Sequence, residues 1–226
     1  LRWQILCDFD GTITPGNALV AFYDRFCPPG WREQTRAAGA TEFGSRERRV
    51  QQTDLVRGSK ADIDSFLDTV EIDPGFPAFV AETMRVGLPL TIVSDGYDYS
   101  IRHVFARHGI EHLDIVSNKM LFLDGDRIGV EFPFGDKDCA VESGTCKCSA
   151  MGRLRNRKSV LIGDGISDFC TAGAADFVFA RDRLIDHCRA EGIPFFPFRS
   201  FDELTPLLAK VSGDGAELQA LAEAAA

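Results

Sequence analysis

The chain lacks any window of roughly 18 apolar residues, the length a helical membrane span needs. No membrane partner is expected. It is also short of positive charge, with 25 Lys and Arg against 34 Asp and Glu and a formal net charge of −9. An acidic surface repels phosphodiester backbones, so no nucleic-acid partner is expected. Any phosphate handled here must meet a metal or a few local cations. A basic, apolar leader is missing as well: Leu1-Arg2-Trp3-Gln4 runs straight into a strand-like segment, and no signal peptide is expected. Cysteine is present, but its seven residues are an odd count in a chain of 226. That count favours reduced thiols in a cytoplasmic setting over a disulfide framework. The turn Gly163-Asp164-Gly165 lacks the glycine spacing of a dinucleotide fingerprint and is acidic.

What is present is an ordinary globular balance, 45% hydrophobic and 26% charged, which excludes disorder, collagen and coiled coil. Eighteen Phe supply material for a packed core. Trp3 to Phe9, Leu88 to Val93 and Ser159 to Ile162 read as buried strands. Each ends in a polar cluster: Asp8-Phe9-Asp10-Gly11-Thr12, Ser94-Asp95-Gly96, and Gly163-Asp164-Gly165-Ile166-Ser167-Asp168. Helical spacing marks 17–27, 45–56, 59–70, 76–86 and 97–108, with Ser59 and Asp62 as a start signal and Gly87 as a stop. A short strand is expected at 114–117 and a hairpin at 119–134, turning on Asp124-Gly125-Asp126. A helix over 146–155, a strand at 177–179, a helix from Asp182 and a final αβ segment follow. Strands alternating with helices predict an α/β fold around a parallel, Rossmann-like sheet. No convincing strand appears between the first cluster and Asp73. The expected division is therefore a core of 1–14 and 74–226, split by a helical insertion of 15–73.

Ligands of such sheets sit beyond the carboxyl ends of the strands, where the three polar clusters lie. Asp8 and Asp10, two apart on a strand, point the same way, and Asp164 and Asp168 can join them. Four carboxylates around one cavity repel unless a cation is bound, and oxygen-only donors favour Mg²⁺ over zinc. Helix capping is the alternative, and it accounts for one such Asp more readily than for four. With Mg²⁺ bound, one carboxylate can attack phosphorus while another handles the proton of the leaving oxygen and of water. Ser94 and Gly96 can hold phosphate oxygens.

The four motifs, Asp8-Phe9-Asp10-Gly11-Thr12, Ser94-Asp95-Gly96, a Lys, and Gly163 to Asp168 in that order, resemble the haloacid-dehalogenase-like (HAD) phosphatases. The helical insertion and the hairpin resemble the cap and flap of the phosphoserine-phosphatase branch. Ala175 to Asp182 and the Cys-rich stretch before the Lys resemble the methionine-salvage phosphatases, which act on 2-hydroxy-3-keto-5-methylthiopentenyl-1-phosphate. The resemblance implies a Mg²⁺-dependent phosphomonoesterase working through an aspartyl-phosphate, with a small-molecule phosphate ester as substrate. Asp8 matches the nucleophile. Asp10 matches the general acid/base and lends its backbone carbonyl to the metal. Asp164 matches the direct metal ligand, supported by Asp168. Thr12, Ser94, Asp95 and Gly96 fall in the phosphate-binding motifs, and Lys147 matches the phosphate-binding Lys in preference to Lys137 or Lys158. Phosphoserine or phosphocholine hydrolysis, or phosphoryl transfer to another acceptor, are the alternatives.

The chain departs from that pattern in places. Asn17 stands where phosphoserine phosphatases carry the acidic residue that receives the substrate's amino group, and a neutral amide pairs poorly with an ammonium. Asp95 replaces a common Gly, and either contacts substrate or caps the helix after it. Arg46, Arg48 and Arg49 lie on an inserted helix; solvated charges and a reach over the substrate are both open. Phe22, Tyr23 and Phe43 are candidate cavity lining. Cys139, Cys146 and Cys148 allow reduced thiols, a disulfide from Cys139, or zinc, though their spacing is not that of a zinc site. Cys170 reads as a small core residue. No feature identifies an oligomeric interface.

Overall fold

A computed structural model describes residues 2–36, 46–139, 142–153, 157–212, 217–218 and 220–221. Its centre is β1 (Arg2–Cys7), flanked by β2 (Leu90–Tyr97) and β5 (Arg157–Gly163). Ile5 pairs in parallel with Leu90 on one side and Val160 on the other. β3 (Asp114–Leu123) and β4 (Arg127–Glu131) extend the sheet beyond β2. Beyond β5 come β6 (Phe177–Ala180) and β7 (Phe195–Pro197). The seven strands run β4-β3-β2-β1-β5-β6-β7, and every neighbouring pair is parallel except β3 with β4. Central parallel strands are covered on both faces, which is why these runs are apolar throughout. Alternation then sorts them: Ile5 and Cys7 join one core, Leu6 the other.

The helices, in chain order, are α1 (Ala18–Phe26), α2 (Trp31–Arg36), α3 (Arg46–Leu55), α4 (Lys60–Leu67), α5 (Phe76–Val86), α6 (Asp98–Ala106), α7 (Lys147–Arg153), α8 (Phe169–Ala172) and α9 (Arg183–Glu191), then the short turns α10 (Phe201–Leu204) and α11 (Leu208–Val211). None of them is long and apolar enough to cross a membrane. Local signals set their ends. Asn17 caps α1, its Oδ1 accepting the Val20 N–H at 2.9 Å. Ser59 and Asp62 form the capping box of α4. Gly87 ends α5 in the left-handed region, at φ 70°.

Helices α1 to α4 leave and rejoin the core at one place, since the Asp73 N–H donates to the Ile13 carbonyl at 2.7 Å. Their apolar faces merge with the sheet: Phe22, Tyr23, Trp31, Ile63 and Leu67 belong to the same buried cluster as Ile5 and Ile92.

Several elements differ from the expectations set by the sequence. β2 does not stop at Val93 but runs through Ser94-Asp95-Gly96 to Tyr97, with a register shift against β3. The Asn118 amide holds it extended by donating to the Asp95 carbonyl at 2.8 Å. The short strand at 114 and the first arm of the hairpin are one strand, β3, because Asn118 keeps pairing where polarity suggests a break. Helix α2 has too short a pattern to be predicted. The last segment is a strand followed by helical turns, βα in order. Phe22 and Tyr23 are buried among other aromatics rather than lining the cavity. Phe43, Ser45 and the end of the 146–155 helix lie outside the described residues.

Candidate active site

The carboxyl ends of β1, β2 and β5 open into a cavity of about 650 Å³. β1 places Asp8 at its base by continuing the ladder one bond further: the Asp8 N–H donates to the Ile162 carbonyl at 2.9 Å. The chain then turns sharply. The N–H groups of Thr12, Ile13 and Thr14 all converge on the Phe9 carbonyl, and Gly11 takes φ 86°. A Cβ at Gly11 would lie 2.6 Å from Asp164 Oδ2, so only glycine lets the two strand ends approach this closely.

Asp8 and Asp10 leave this turn into different surroundings. Asp8 Oδ1 accepts its neighbour's N–H, from Phe9, at 2.8 Å and lies 2.9 Å from Lys147 Nζ. Asp10 Oδ1 accepts the Leu19 N–H at the start of α1 at 2.8 Å, and Oδ2 accepts the Ser94 hydroxyl at 3.3 Å. Ser94 Oγ in turn accepts the Gly96 N–H at 2.9 Å. Gly96 must be small, because a Cβ there would sit 2.8 Å from Asp10 Oδ2.

β5 and the turn after it bring Asp164 and Asp168. Asp168 is fully buried; its Oδ2 accepts the N–H groups of Asp164 and Gly165, each at 3.3 Å. Its Oδ1 takes Lys147 Nζ at 2.8 Å. Lys147, at the first position of α7, is thus clamped between Asp8 and Asp168. Lys158 lies at the opposite end of the sheet, over the Trp3 ring.

Oxygen atoms of Asp8, Asp164 and Asp168 lie within 4.8 Å of one another, the one such three-ligand group among the described residues. Burial pushes the Asp8 carboxyl up, with the charges of Asp168 and Asp164 adding to it against Lys147. Burial and the Asp168 charge push Asp164 up to about 6. Burial opposes the charge on Lys147, yet Asp168 and Asp8 hold its pKa above the usual lysine range. A buried, mutually repelling carboxylate cluster with oxygen donors alone fits a hard divalent cation such as Mg²⁺.

The structure redirects several of the candidate residues. The Asp10 carboxyl stands apart from the acidic cluster of Asp8, Asp164 and Asp168, occupied by Leu19 and Ser94. Thr12 does not line the cavity; its hydroxyl donates to Asp164 Oδ1 at 2.9 Å. Asp95 neither caps α6 nor stands free. Its Oδ2 takes the Arg49 guanidinium at 2.8 Å, and its Oδ1 accepts the Thr145 N–H and the Asn118 amide, each at 3.1 Å. Arg49 is therefore no solvated charge: it is buried, and it also donates to Tyr23 Oη at 3.0 Å and Gln52 Oε1 at 3.2 Å. Arg46 reaches the Asp136 carbonyl at 2.6 Å. Asn17, Arg49 and Asp95 all line the cavity. Sequence reasoning missed the Arg49–Asp95 pair because its partners are 46 residues apart. No disulfide joins cysteines among the described residues, and Cys170 is exposed rather than in the core.

The comparisons with known proteins accord with this geometry. The profile of the haloacid dehalogenase-like hydrolases matches residues 5–173. The chain belongs to this family. Among curated HAD relatives, the 2-hydroxy-3-keto-5-methylthiopentenyl-1-phosphate phosphatase of Geobacillus kaustophilus is 34% identical over 212 residues, covering 92% of this chain and 96% of that protein. The protein of the same name from Bacillus velezensis is 32% identical, covering 88% and 87%. Among solved structures, phosphoserine phosphatase from T. onnurineus aligns with a TM-score of 0.63 and 19% identity, over 92% of this chain and 94% of that one. A phospho-aspartyl intermediate analogue of phosphoserine phosphatase aligns with a TM-score of 0.63 and 14% identity, over 92% and 98%. These two share the HAD fold with this chain.

Proposed function

We propose that this HAD hydrolase cleaves the phosphate monoester of a small organic molecule, with 2-hydroxy-3-keto-5-methylthiopentenyl-1-phosphate, the compound named for its relatives, as the substrate. One observation carries the reading: two carboxylates two residues apart at one strand end occupy opposite chemical settings. Asp8 sits in the acidic cluster against Lys147, as a nucleophile requires. Both of its bonds fall on Oδ1, which leaves Oδ2 to attack phosphorus. Asp10 is half-buried, and desolvation pushes its carboxyl up, which favours the protonated form that can donate to the leaving oxygen. The bond from phosphorus to that oxygen breaks, and the phosphoryl group rests on Asp8. Asp10, now a carboxylate, takes a proton from the water that attacks the acyl phosphate. Ser94 Oγ and Lys147 Nζ line the cavity where they can meet the transferring oxygens, and the Gly96 N–H, donating to Ser94 Oγ, holds that hydroxyl in place.

Asp8, Asp164, Asp168 and the Asp10 carbonyl would hold Mg²⁺, which supplies countercharge to the phosphate when bound. Thr12 acts at one remove, orienting Asp164. Helices α1 to α4 form the cap over residues 15–73; they exclude water and select the substrate, and the hairpin of β3 and β4 is the flap. A cavity of this size, under a cap, suits a small metabolite of the cytoplasm.

Phosphoserine is disfavoured by the cap side of the cavity. Asn17, Leu19 and Arg49 line it, and the nearby Asp95 is already neutralised by Arg49. An ammonium finds no free carboxylate there among the described residues. The test is phosphate release from the methionine-salvage ester, phosphoserine and phosphocholine, with EDTA and with restored Mg²⁺. Turnover of the first ester, silenced by EDTA, is expected. Preference for phosphoserine would overturn the substrate, and phosphate appearing on an added alcohol instead of in solution would overturn hydrolysis.

A further inference from the structure

Four of the seven cysteines, Cys139, Cys146, Cys148 and Cys170, line the catalytic cavity, and the hydrolysis uses none of them. Two face each other directly: the Cys148 thiol donates to Cys170 Sγ at 2.8 Å. Cys148 follows Lys147 in the first turn of α7. Cys170 lies on α8, just past Asp168. The pair therefore bridges the two elements that carry the Lys147–Asp168 contact. Cys170 is exposed and Cys148 half-buried. Burial pushes the Cys148 thiol up to about 11, which keeps it protonated and in the donor role. Sequence spacing offers other pairings, Cys139 with Cys146 or Cys148, and the Cys146 thiol also meets Cys139.

We propose that Cys148 and Cys170 are an oxidisable dithiol, a modification site that hydrogen peroxide closes to a disulfide and that slows the enzyme when closed. The exposed Cys170 sulfur takes the terminal peroxide oxygen. The O–O bond breaks, and the released hydroxide leaves as water with the thiol proton. The Cys148 sulfur then displaces the oxygen of the resulting sulfenic acid, which leaves as a second water with the Cys148 proton. Two thiols lose two electrons and two protons, and one hydrogen peroxide becomes two waters.

A disulfide holds its sulfurs about 2.05 Å apart, so the two must draw together by roughly 0.8 Å. Cys148 is bonded to Lys147, whose Nζ is set 2.9 Å from Asp8 and 2.8 Å from Asp168. Misplacing a group at a reacting centre by about 1 Å can cost on the order of 100-fold, and a loss of roughly tenfold is expected here. The rate effect rests on the hydrolase reading; formation of the bond does not.

The test treats the reduced full chain with hydrogen peroxide, blocks remaining thiols with iodoacetamide and maps the peptides by mass. Hydrolysis of p-nitrophenyl phosphate is followed before oxidation, after it, and after dithiothreitol. The expected result is a linked Cys148–Cys170 peptide, a drop of roughly tenfold and recovery on reduction. C170S and C148S should block the link and the oxidative loss, while C139S keeps both. No linked peptide, or one joining Cys139 or Cys146, would overturn the assignment; a correct link with an unchanged rate would overturn the control of activity. A reduced chain inert on every phosphate ester would instead remove the hydrolase reading, and the peptide map would still decide the dithiol.

Discussion

The two walls of the catalytic cavity are built by different means. The core wall comes from strand ends. Asp8, Asp10, Ser94 and Asp164 are each fixed by the register of a parallel strand or by the turn just after it, with glycines where carboxylates must approach. The cap wall comes from pairs between distant segments: Arg49 to Asp95, Tyr23 Oη to Tyr97 Oη at 2.8 Å, and Thr53 Oγ1 to Tyr97 Oη at 2.5 Å. The core wall places chemistry where the backbone dictates. On the proposed reading, the cap wall places selection where side chains of distant segments meet, away from the reacting groups.

The sharpest way to break that contrast is to damage each wall and compare. D8N removes the proposed nucleophile and should lower kcat by about 10⁴-fold or more with the fold intact, read by initial rates and circular dichroism. Retained turnover would end the assignment of Asp8. R49A should act differently. It strands the half-buried Asp95 carboxylate, whose other oxygen orders Thr145 and Asn118 near the Lys147 segment, and a loss of kcat/KM of about 10- to 100-fold is expected. D95N should show a similar loss, and the double variant no more than either alone, since the two act as one pair. Additive losses would mean that Arg49 and Asp95 work separately, and that the cap wall is not held by this pair.

Binding of Mg²⁺ sharpens the core wall alone. Asp164 is raised from its ordinary 3.8 to about 6, so the folded chain holds its proton more tightly than the unfolded chain. Its contribution to stability is full below about 4 and is lost as pH rises through about 6. Mg²⁺ needs the ionised carboxylate, so its stabilising effect should be slight at about pH 5 and grow above about 6. Thermal melts with and without Mg²⁺ across that range check the sign. A metal-induced shift that is flat with pH, or largest in acid, would count against Asp164 as a ligand.

The same contrast explains what can be read in the sequence. Asp8, Asp10, Asp164 and Asp168 are legible because an apolar run ending in acid is a local pattern, and strand ends converge by topology. Lys147 is legible only by its order relative to the other motifs; its double contact with Asp8 and Asp168 depends on where α7 docks. The Arg49–Asp95 pair leaves no local trace. In the sequence Arg49 sits in a charged stretch, Arg46-Glu47-Arg48-Arg49, whose composition suggests solvated surface. The place of Cys170 is hidden for a related reason: its neighbours Phe169 and Ala172 pack against the core, but α8 is one turn long and turns Cys170 outward to the cavity. The continuation of β2 through Ser94-Asp95-Gly96 is hidden because residues of low strand propensity are held extended by a neighbouring strand's Asn118.

The smallest effect asks whether the two walls belong to one cooperative unit. S59A removes the Ser59 half of the capping box of α4, where Oγ accepts the Asp62 N–H at 3.1 Å and the Asp62 carboxylate accepts the Ser59 N–H at 3.2 Å. Losing such a cap costs about 1 kcal/mol, or roughly 2–4 °C in Tm for a domain of this size. Ser59 is remote from the cavity, so kcat should stay the same. The shape of the melt carries the information. Ile63 and Leu67 of α4 lie in the same buried cluster as Phe22 of α1 and Ile5 of β1, so weakening α4 should move one transition for the whole chain. Two probes decide this: Trp31 in the cap and Trp3 on β1 are the two tryptophans of the chain, and replacing each singly with Phe isolates the other's fluorescence. Coincident melts from Trp3 and Trp31, both shifted by S59A, are expected. A cap signal that melts earlier than the core signal would show that the selecting wall opens by itself, and the shared aromatic cluster would then not bind the two walls into one fold.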